Sequence, residues 1–404
     1  MVLEGIAELP LHNGHVPEAL LRRMKKLGSL IARFIVETYG PRVLLERLAD
    51  PLWFQAFNNV IGMDWDSSGS TTIVLYVLKS SFPPESAREE GLAVLGGKGG
   101  DARNIPEEAG YLRDLVDPEQ VVLTSRLSAK VDSVALQDGY TLYIHGVLVT
   151  ENGLLVVQQG MNLDTRLARR YHILLEKPGV YTIDDDPHSG VASMTTAPAL
   201  NLVNGESRST RKAILDILQS TPVGSLLQDV HRVNRALRRL PSLENYVKGV
   251  ISTQPGELGV KVSKCPLFYR PIVNTRNVEK VAEEIKKAAL REFSELLLIP
   301  GLGPETLRAI ALVADLIYGY EPSFKDPTTH PLDPFLYAYA HGGKDGVPYR
   351  IKPKDVDKTI EFFANVLASI KTGDREKEVL LRNFSRMVRR ISYRYGLDQG
   401  TFQA

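Results

Sequence analysis

Lys130, Asp132, His145 and Gln158 are side chains of the kinds that bind divalent ions, move protons or steady a phosphoryl group. The turn signals around them set their spacing. Asn152-Gly153 is the signature of a two-residue hairpin loop, which pairs Glu151 with Leu154, His145 with Gly160 and Val147 with Gln158. Asp138-Gly139 offers the same turn chemistry, and as a two-residue loop it puts Asp132 directly opposite His145. Because cross-strand partners share a face, one face then carries Lys130, Asp132, Tyr143, His145, Gln158 and Asn162. The other carries Val131, Ile144, Leu148, Val157 and Met161, which suits a core. The polar set predicts a hydrolytic site in which Asp132 and His145 hold or activate Mg²⁺ or Mn²⁺ and Lys130 offsets phosphorane charge. Asp138 and Gln158 complete the candidate catalytic set. The same pattern also fits the solvated face of an antiparallel sheet. A longer turn at Asp138 would send Asp132 to the opposite face.

Other groups could hold phosphate or metal. Asp64 and Asp66 precede Ser67-Ser68-Gly69-Ser70-Thr71-Thr72, so Asp64 is a further candidate ligand, with a helix cap as the simpler alternative. The glycine-rich loop Gly96-Gly97-Lys98-Gly99-Gly100 lacks the full phosphate-loop pattern, because no Ser or Thr follows Lys98. A second such loop, His341 to Gly346 around Lys344, pairs with it as one phosphate track or as two ordinary turns. Arg169 and Arg170, next to Tyr171 and His172, put cations beside aromatic groups, and Arg232, Arg235, Arg238 and Arg239 recur at helical spacing. Such faces are either solvated or in contact with nucleic acid. His188, in Asp186-Pro187-His188-Ser189-Gly190, is a loop imidazole that could act as ligand or base.

Ile299-Pro300-Gly301-Leu302-Gly303-Pro304-Glu305-Thr306 lies between amphipathic segments at Val281 to Leu298 and Pro304 to Tyr318. The glycines permit a sharp turn, and Pro304 suits the first helical position. The amides left free at such a helix start form an anion site, with Gly301, Gly303 and Thr306 as candidate phosphate contacts.

The elements that must position these groups follow from periodicity. Pro17 to Tyr39 and Arg42 to Ala49 read as helices, Val121 to Met161 as strands, and almost everything after Asn201 as helix. The expected fold class is α+β: an N-terminal mixed domain with an antiparallel meander, 1–204, and an all-helical C-terminal domain, 205–404. At 404 residues the chain is long enough for both, and its 43% hydrophobic and 24% charged residues are those of a globular protein. Lys+Arg of 49 against Asp+Glu of 48 leaves no global basic signature, so any nucleic-acid surface must be a local patch. Cys265 is the single cysteine, which excludes an internal disulfide framework and points to a cytoplasmic protein. No run is long enough to span a bilayer, so no membrane partner is expected.

Residues 281–319 resemble the helix-hairpin-helix of DNA-repair proteins, which implies sequence-independent grip on a backbone phosphate, DNA ahead of RNA. In the glycosylase branch a catalytic aspartate follows the hairpin. Asp326 in Lys325-Asp326-Pro327 falls a few residues late, and Glu305 stands where lyase members carry a lysine. The chain as a whole resembles an uncharacterised prokaryotic family, the domain of unknown function family 763. That likeness rests on Gly62-Met63-Asp64-Trp65, Ala129-Lys130-Val131-Asp132, Gln158-Gln159-Gly160-Met161-Asn162 and Ala340 to Gly346, among other strings. The expected function is DNA processing by a metal-dependent nuclease. The alternatives are a cofactor-free glycosylase using Asp326 and a non-catalytic binding module.

Overall fold

A computed structural model describes residues 18–239 and 264–331, apart from 62, 64–67, 274 and 289. Asp64, Lys344 and the C-terminal arginines Arg382, Arg386, Arg389 and Arg390, expected as the basic face of a helix, lie outside the described residues. The architecture combines helices with a largely antiparallel sheet of six strands in chain order: β1 (Leu92–Lys98), β2 (Thr141–Thr150), β3 (Gly153–Asn162), β4 (Leu167–Leu175), β5 (Gly190–Ser193) and β6 (His330–Pro331). Only the last pair, β5 with β6, is parallel.

Alternation along the strands gives the sheet two apolar faces. Val94, Ile144, Leu148, Leu155 and Val157 pack against four N-terminal helices: α1 (Glu18–Tyr39), α2 (Pro41–Ala49), α3 (Pro51–Val60) and α4 (Ser70–Ser81). Leu95, Val147, Val149, Leu154, Val156 and Ile173 face the other way. That side is covered by α5 (Pro118–Lys130) and by the later helices α6 (Arg208–Ser220), α7 (Val223–Arg239), α8 (Thr275–Lys287), α9 (Phe293–Leu297) and α10 (Pro304–Leu316). One apolar cluster therefore runs from the sheet through Val230, Val281 and Ile310, across position 204. A sheet buried on both faces explains why its strands are so apolar.

Three expectations are corrected. Residues 118–135 are helical, not strands: Asp117 caps α5 by accepting from the Glu119 amide at 2.9 Å, and Pro118 occupies the first turn. The helix ends in one π-helical turn, Val131–Ala135, which carries Asp132, so Asp132 is not on a strand opposite His145. The β2–β3 hairpin closes one residue early, with Thr150 opposite Gly153, so the loop is Glu151-Asn152. That offset pairs His145 with Gln158, and a bulge at Tyr143 absorbs the remaining register. Finally, Gly96-Gly97-Lys98 is not loop but the end of β1, paired with Gly146, His145 and Ile144. Gly96 has φ 75°, and a Cβ there would lie 2.4 Å from the His145 carbonyl oxygen, so only glycine lets β1 pass.

Candidate functional site

Antiparallel pairing aligns Gly97, His145, Gln158, Tyr171 and Val191 in one row across the sheet. They lie on the face covered by α5, which presents Ser125, Ser128 and Asp132 at helical spacing. Side chains from the two layers join in one buried hydrogen-bonded chain. His145 Nε2 is 2.8 Å from Ser125 Oγ, and His145 Nδ1 is 2.8 Å from Gln158 Oε1. Gln158 Nε2 donates to the Ser128 carbonyl at 3.2 Å and, more closely, to Asp132 Oδ2. Asp132 Oδ1 lies 2.6 Å from His188 Nε2, and His188 Nδ1 lies 2.5 Å from Asp186 Oδ1.

The proton positions in this chain are determined by its ends. The Ser128 carbonyl and the Asp132 carboxylate can only accept, so Gln158 must turn its NH₂ toward them. Its oxygen is then left to accept from His145 Nδ1–H. His145 Nε2 consequently carries the lone pair, and Ser125 Oγ–H donates to it. Burial pushes the His145 imidazole below its ordinary value, opposed by the Gln158 bond, which keeps that lone pair unprotonated at neutral pH. At the other end His188 is an imidazolium. Burial would strip its proton, but Asp132 and Asp186 outweigh that and push it up to about 10. Burial raises the Asp132 carboxyl, with the His188 charge opposing.

Ser125 and His145 also wall a cleft of about 700 Å³, with Gly99, Gly100, Arg103 and Arg126 among its other lining residues. The strand end beside it is braced: Glu108 accepts from the Gly96 amide at 2.7 Å and pairs with Lys79 at 2.6 Å. Lys79 in turn donates to the Gly96 carbonyl at 2.9 Å. The chain can therefore present a serine hydroxyl, already hydrogen-bonded to a neutral imidazole, to a ligand in a cleft carrying two guanidinium groups.

Asp132 and His145 do not fit a shared ion. Both oxygens of Asp132 and both ring nitrogens of His145 are committed to protein partners, and Gln158 separates the two residues. Among the described residues no three His, Cys, Asp or Glu side chains are grouped to hold a metal. Lys130 is likewise elsewhere: its Nζ donates to the Leu302 carbonyl at 2.6 Å, and burial lowers its pKa. Asp138 accepts from Arg169 at 2.9 Å and from the Tyr171 hydroxyl at 2.7 Å, in a second buried cluster. Arg169 (1% exposed) also pairs with Asp326 at 2.8 Å, while Arg170 (4% exposed) points to the opposite face, toward His172 and Gln55. These arginines lie inside the molecule rather than on a basic surface, because β4 is covered on both faces.

Asp326 is equally engaged. It accepts from Arg169, the Ala197 amide and the Thr328 amide. Its burial favours the neutral acid, yet those bonds hold its carboxyl below the ordinary value. Phe324 packs on Phe268 and Tyr269, whereas Tyr318 and Tyr320 are exposed, so among the described residues these rings form no pocket around Asp326. Of the phosphate-contact candidates, Lys98 is exposed at the end of β1. Thr306 is only 3% exposed, and its Oγ1 accepts from Asn277 at 2.7 Å. Gly301 has φ 82° and Gly303 begins α10 without a side-chain cap, in open space. The arm before that turn is broken: α8 ends at Lys287, and the five-residue α9 follows. Arg232, Arg235 and Arg238 are exposed along α7. Ser125 and Asp186 were missed as site residues in the sequence. The available signal was Ser125, Ser128 and Asp132 at i, i+3 and i+7 behind an Asp-Pro-Glu helix start.

The family described as protein of unknown function (DUF763) matches residues 5–351, and the chain belongs to that family. No curated protein and no solved structure matches it. No helix among the described residues is long and apolar enough to cross a membrane.

Proposed function

We propose that this chain is a nucleic-acid-processing hydrolase, acting on DNA ahead of RNA, that cleaves phosphodiester bonds in the cleft walled by His145. The carrying observation is the composition of that cleft: an unprotonated imidazole nitrogen, the glycine backbone at Gly99 and Gly100, and the guanidinium groups of Arg103 and Arg126. Guanidinium and backbone amide groups are the donors that bind phosphoryl oxygens, and they stabilise the extra charge of a pentacovalent phosphorus. A neutral imidazole at hydrogen-bonding distance from a hydroxyl supplies the base.

Two features outside the cleft support a polyanionic substrate. The helix start at Gly303 is uncapped, and the hairpin before it is tied through Lys130 to the same helix that carries Ser125 and Arg126. A backbone phosphate held there, as in a helix-hairpin-helix, would lie on the element that forms the cleft wall. The exposed arginines of α7 add cationic surface.

The test is incubation of end-labelled single- and double-stranded DNA and RNA with the full chain, in EDTA and in Mg²⁺ or Mn²⁺. Cleavage is expected; persistence in EDTA would show that the His145 cleft works without an ion, and loss in EDTA would restore a metal-dependent nuclease. Arg126→Ala should reduce the rate by about tenfold to a hundredfold, the usual worth of a charged phosphoryl contact. Binding without cleavage of any substrate would reduce the chain to a binding module. Release of free bases, leaving abasic sites, would instead restore the glycosylase reading.

A further inference from the structure

We infer that Ser125 is a covalent nucleophile, activated by His145, and that the phosphodiester is cleaved by double displacement through a phosphoserine. The substrate class rests on the proposed function, whereas the nucleophile rests on the geometry of the site.

Three groups must line up for a serine hydroxyl to act in this way: the hydroxyl, an unprotonated base that receives its proton, and a group that holds the base in the right tautomer. Ser125 Oγ and His145 Nε2 are 2.8 Å apart, and Gln158 Oε1 holds Nδ1 at 2.8 Å. In hydrolytic triads the orienting group is often a carboxylate. Here it is an amide whose own orientation is fixed by the Ser128 carbonyl and Asp132. Ser125 and His145 both line the cleft. A purely structural serine on a buried helix face would more simply bond the carbonyl one turn back, as Ser81 does to Val77 at 3.0 Å.

In the first half-reaction Ser125 Oγ attacks phosphorus, and its proton passes to His145 Nε2. The bond from phosphorus to one sugar oxygen breaks, and that oxygen leaves with the proton from His145. In the second half, water gives a proton to Nε2 and attacks the same phosphorus. The Oγ–P bond breaks and Ser125 recovers the proton. The sum is diester plus water giving monoester plus alcohol, with no redox partner. Arg103 and Arg126 line the same cleft and would meet the phosphoryl oxygens.

The experiment uses a fluorophosphonate, which phosphonylates an activated serine with loss of fluoride and needs no nucleic acid. The full chain should take up one adduct, located on the Ser125 peptide by mass spectrometry. Ser125→Ala should abolish it, and His145→Gln should slow it at least a hundredfold, with thermal melts confirming that both variants fold. Should His145→Gln fail to fold, Ser125→Thr tests the same point, since the added methyl should slow labelling at least tenfold. Cleavage of labelled DNA by the same variants separates the two readings. An adduct on Ser125 without nucleic-acid cleavage keeps the nucleophile and overturns the substrate class. Cleavage that survives Ser125→Ala, or the lack of any adduct on Ser125, overturns the nucleophile and leaves His145 activating water.

Discussion

His188 between Asp132 and Asp186 should make the stability of this protein fall as the solution turns alkaline, and His188→Gln should remove that dependence. The imidazole lies 2.6 Å from one carboxylate and 2.5 Å from the other, with its side chain fully buried. Its pKa is pushed from 6.5 up to about 10. The folded state therefore keeps a proton that the unfolded chain releases above about pH 6.5. The stabilisation is present in full below that pH, declines as the pH rises, and is gone above about 10. At about 1.4 kcal/mol per pH unit, the gap sets a ceiling of about 5 kcal/mol. Breaking a buried ion pair by removing one partner costs about 3–5 kcal/mol, which agrees. Burial already raises the Asp132 carboxyl, so in the variant it can take up a proton rather than remain an unpaired charge, and the lower end of that range is expected. Urea melts of wild type and variant at half-unit steps from pH 6 to 10 measure it. The difference between the two proteins cancels the titrating groups that do not touch His188 and reports His188 with its two carboxylate partners. It should be about 3 kcal/mol at pH 6 and shrink toward zero by pH 10. Asp186→Asn, which removes one flanking charge, is the milder perturbation and should move the decline toward neutral pH. A difference that stays constant across the whole range would mean that His188 is neutral in the folded state, and the chain of charges would be refuted.

Gly96→Ala should cost about 2 kcal/mol or more, since it adds strain at φ 75° to a Cβ lying 2.4 Å from the His145 carbonyl oxygen. A urea midpoint equal to wild type would show that β1 can shift without disturbing His145. Gly303→Val should weaken DNA binding by about tenfold, the worth of one charge-assisted hydrogen bond, because nothing lies within 4 Å of the added Cβ to destabilise the fold. The loss should be similar across DNA sequences and should narrow as salt is raised. Equal affinities at every salt concentration, with both proteins folded, would reduce the hairpin to a turn.

What the sequence disclosed follows the physics of each element. The first two helices and the hairpin near Asn152 are legible, because apolar spacing and turn chemistry are local. His145 and Gln158 were placed on one face, and a loop one residue earlier than expected made them direct partners rather than diagonal ones. A register displaced by two residues preserves the face, so His145 and Gln158 share it in either register. The segment 118–135 was lost for a different reason. Leu127, Val131 and Val134 do keep helical spacing, but Ser125, Ser128 and Asp132 fill the buried positions beside them, so the apolar stripe is too narrow to mark the whole inward side. Hydrophobic periodicity locates a buried face only when that face is apolar. Here the buried side is partly polar, and each polar group on it costs free energy unless it finds a partner in another layer. Ser125 finds His145 twenty positions away, and Asp132 finds His188 at fifty-six. No window of sequence holds both partners of such a bond. Arg169 and Arg170 misled in the same way, since a run of cations reads as surface until Asp138, Asp326, Gln55 and His172 are brought to meet it. Asp117-Pro118-Glu119 was the local signal that could have recovered α5. Once that helix is drawn, the spacing of Ser125, Ser128 and Asp132 puts a hydroxyl, a carbonyl and a carboxylate on one face, and such a face needs the imidazole and amide row of the sheet.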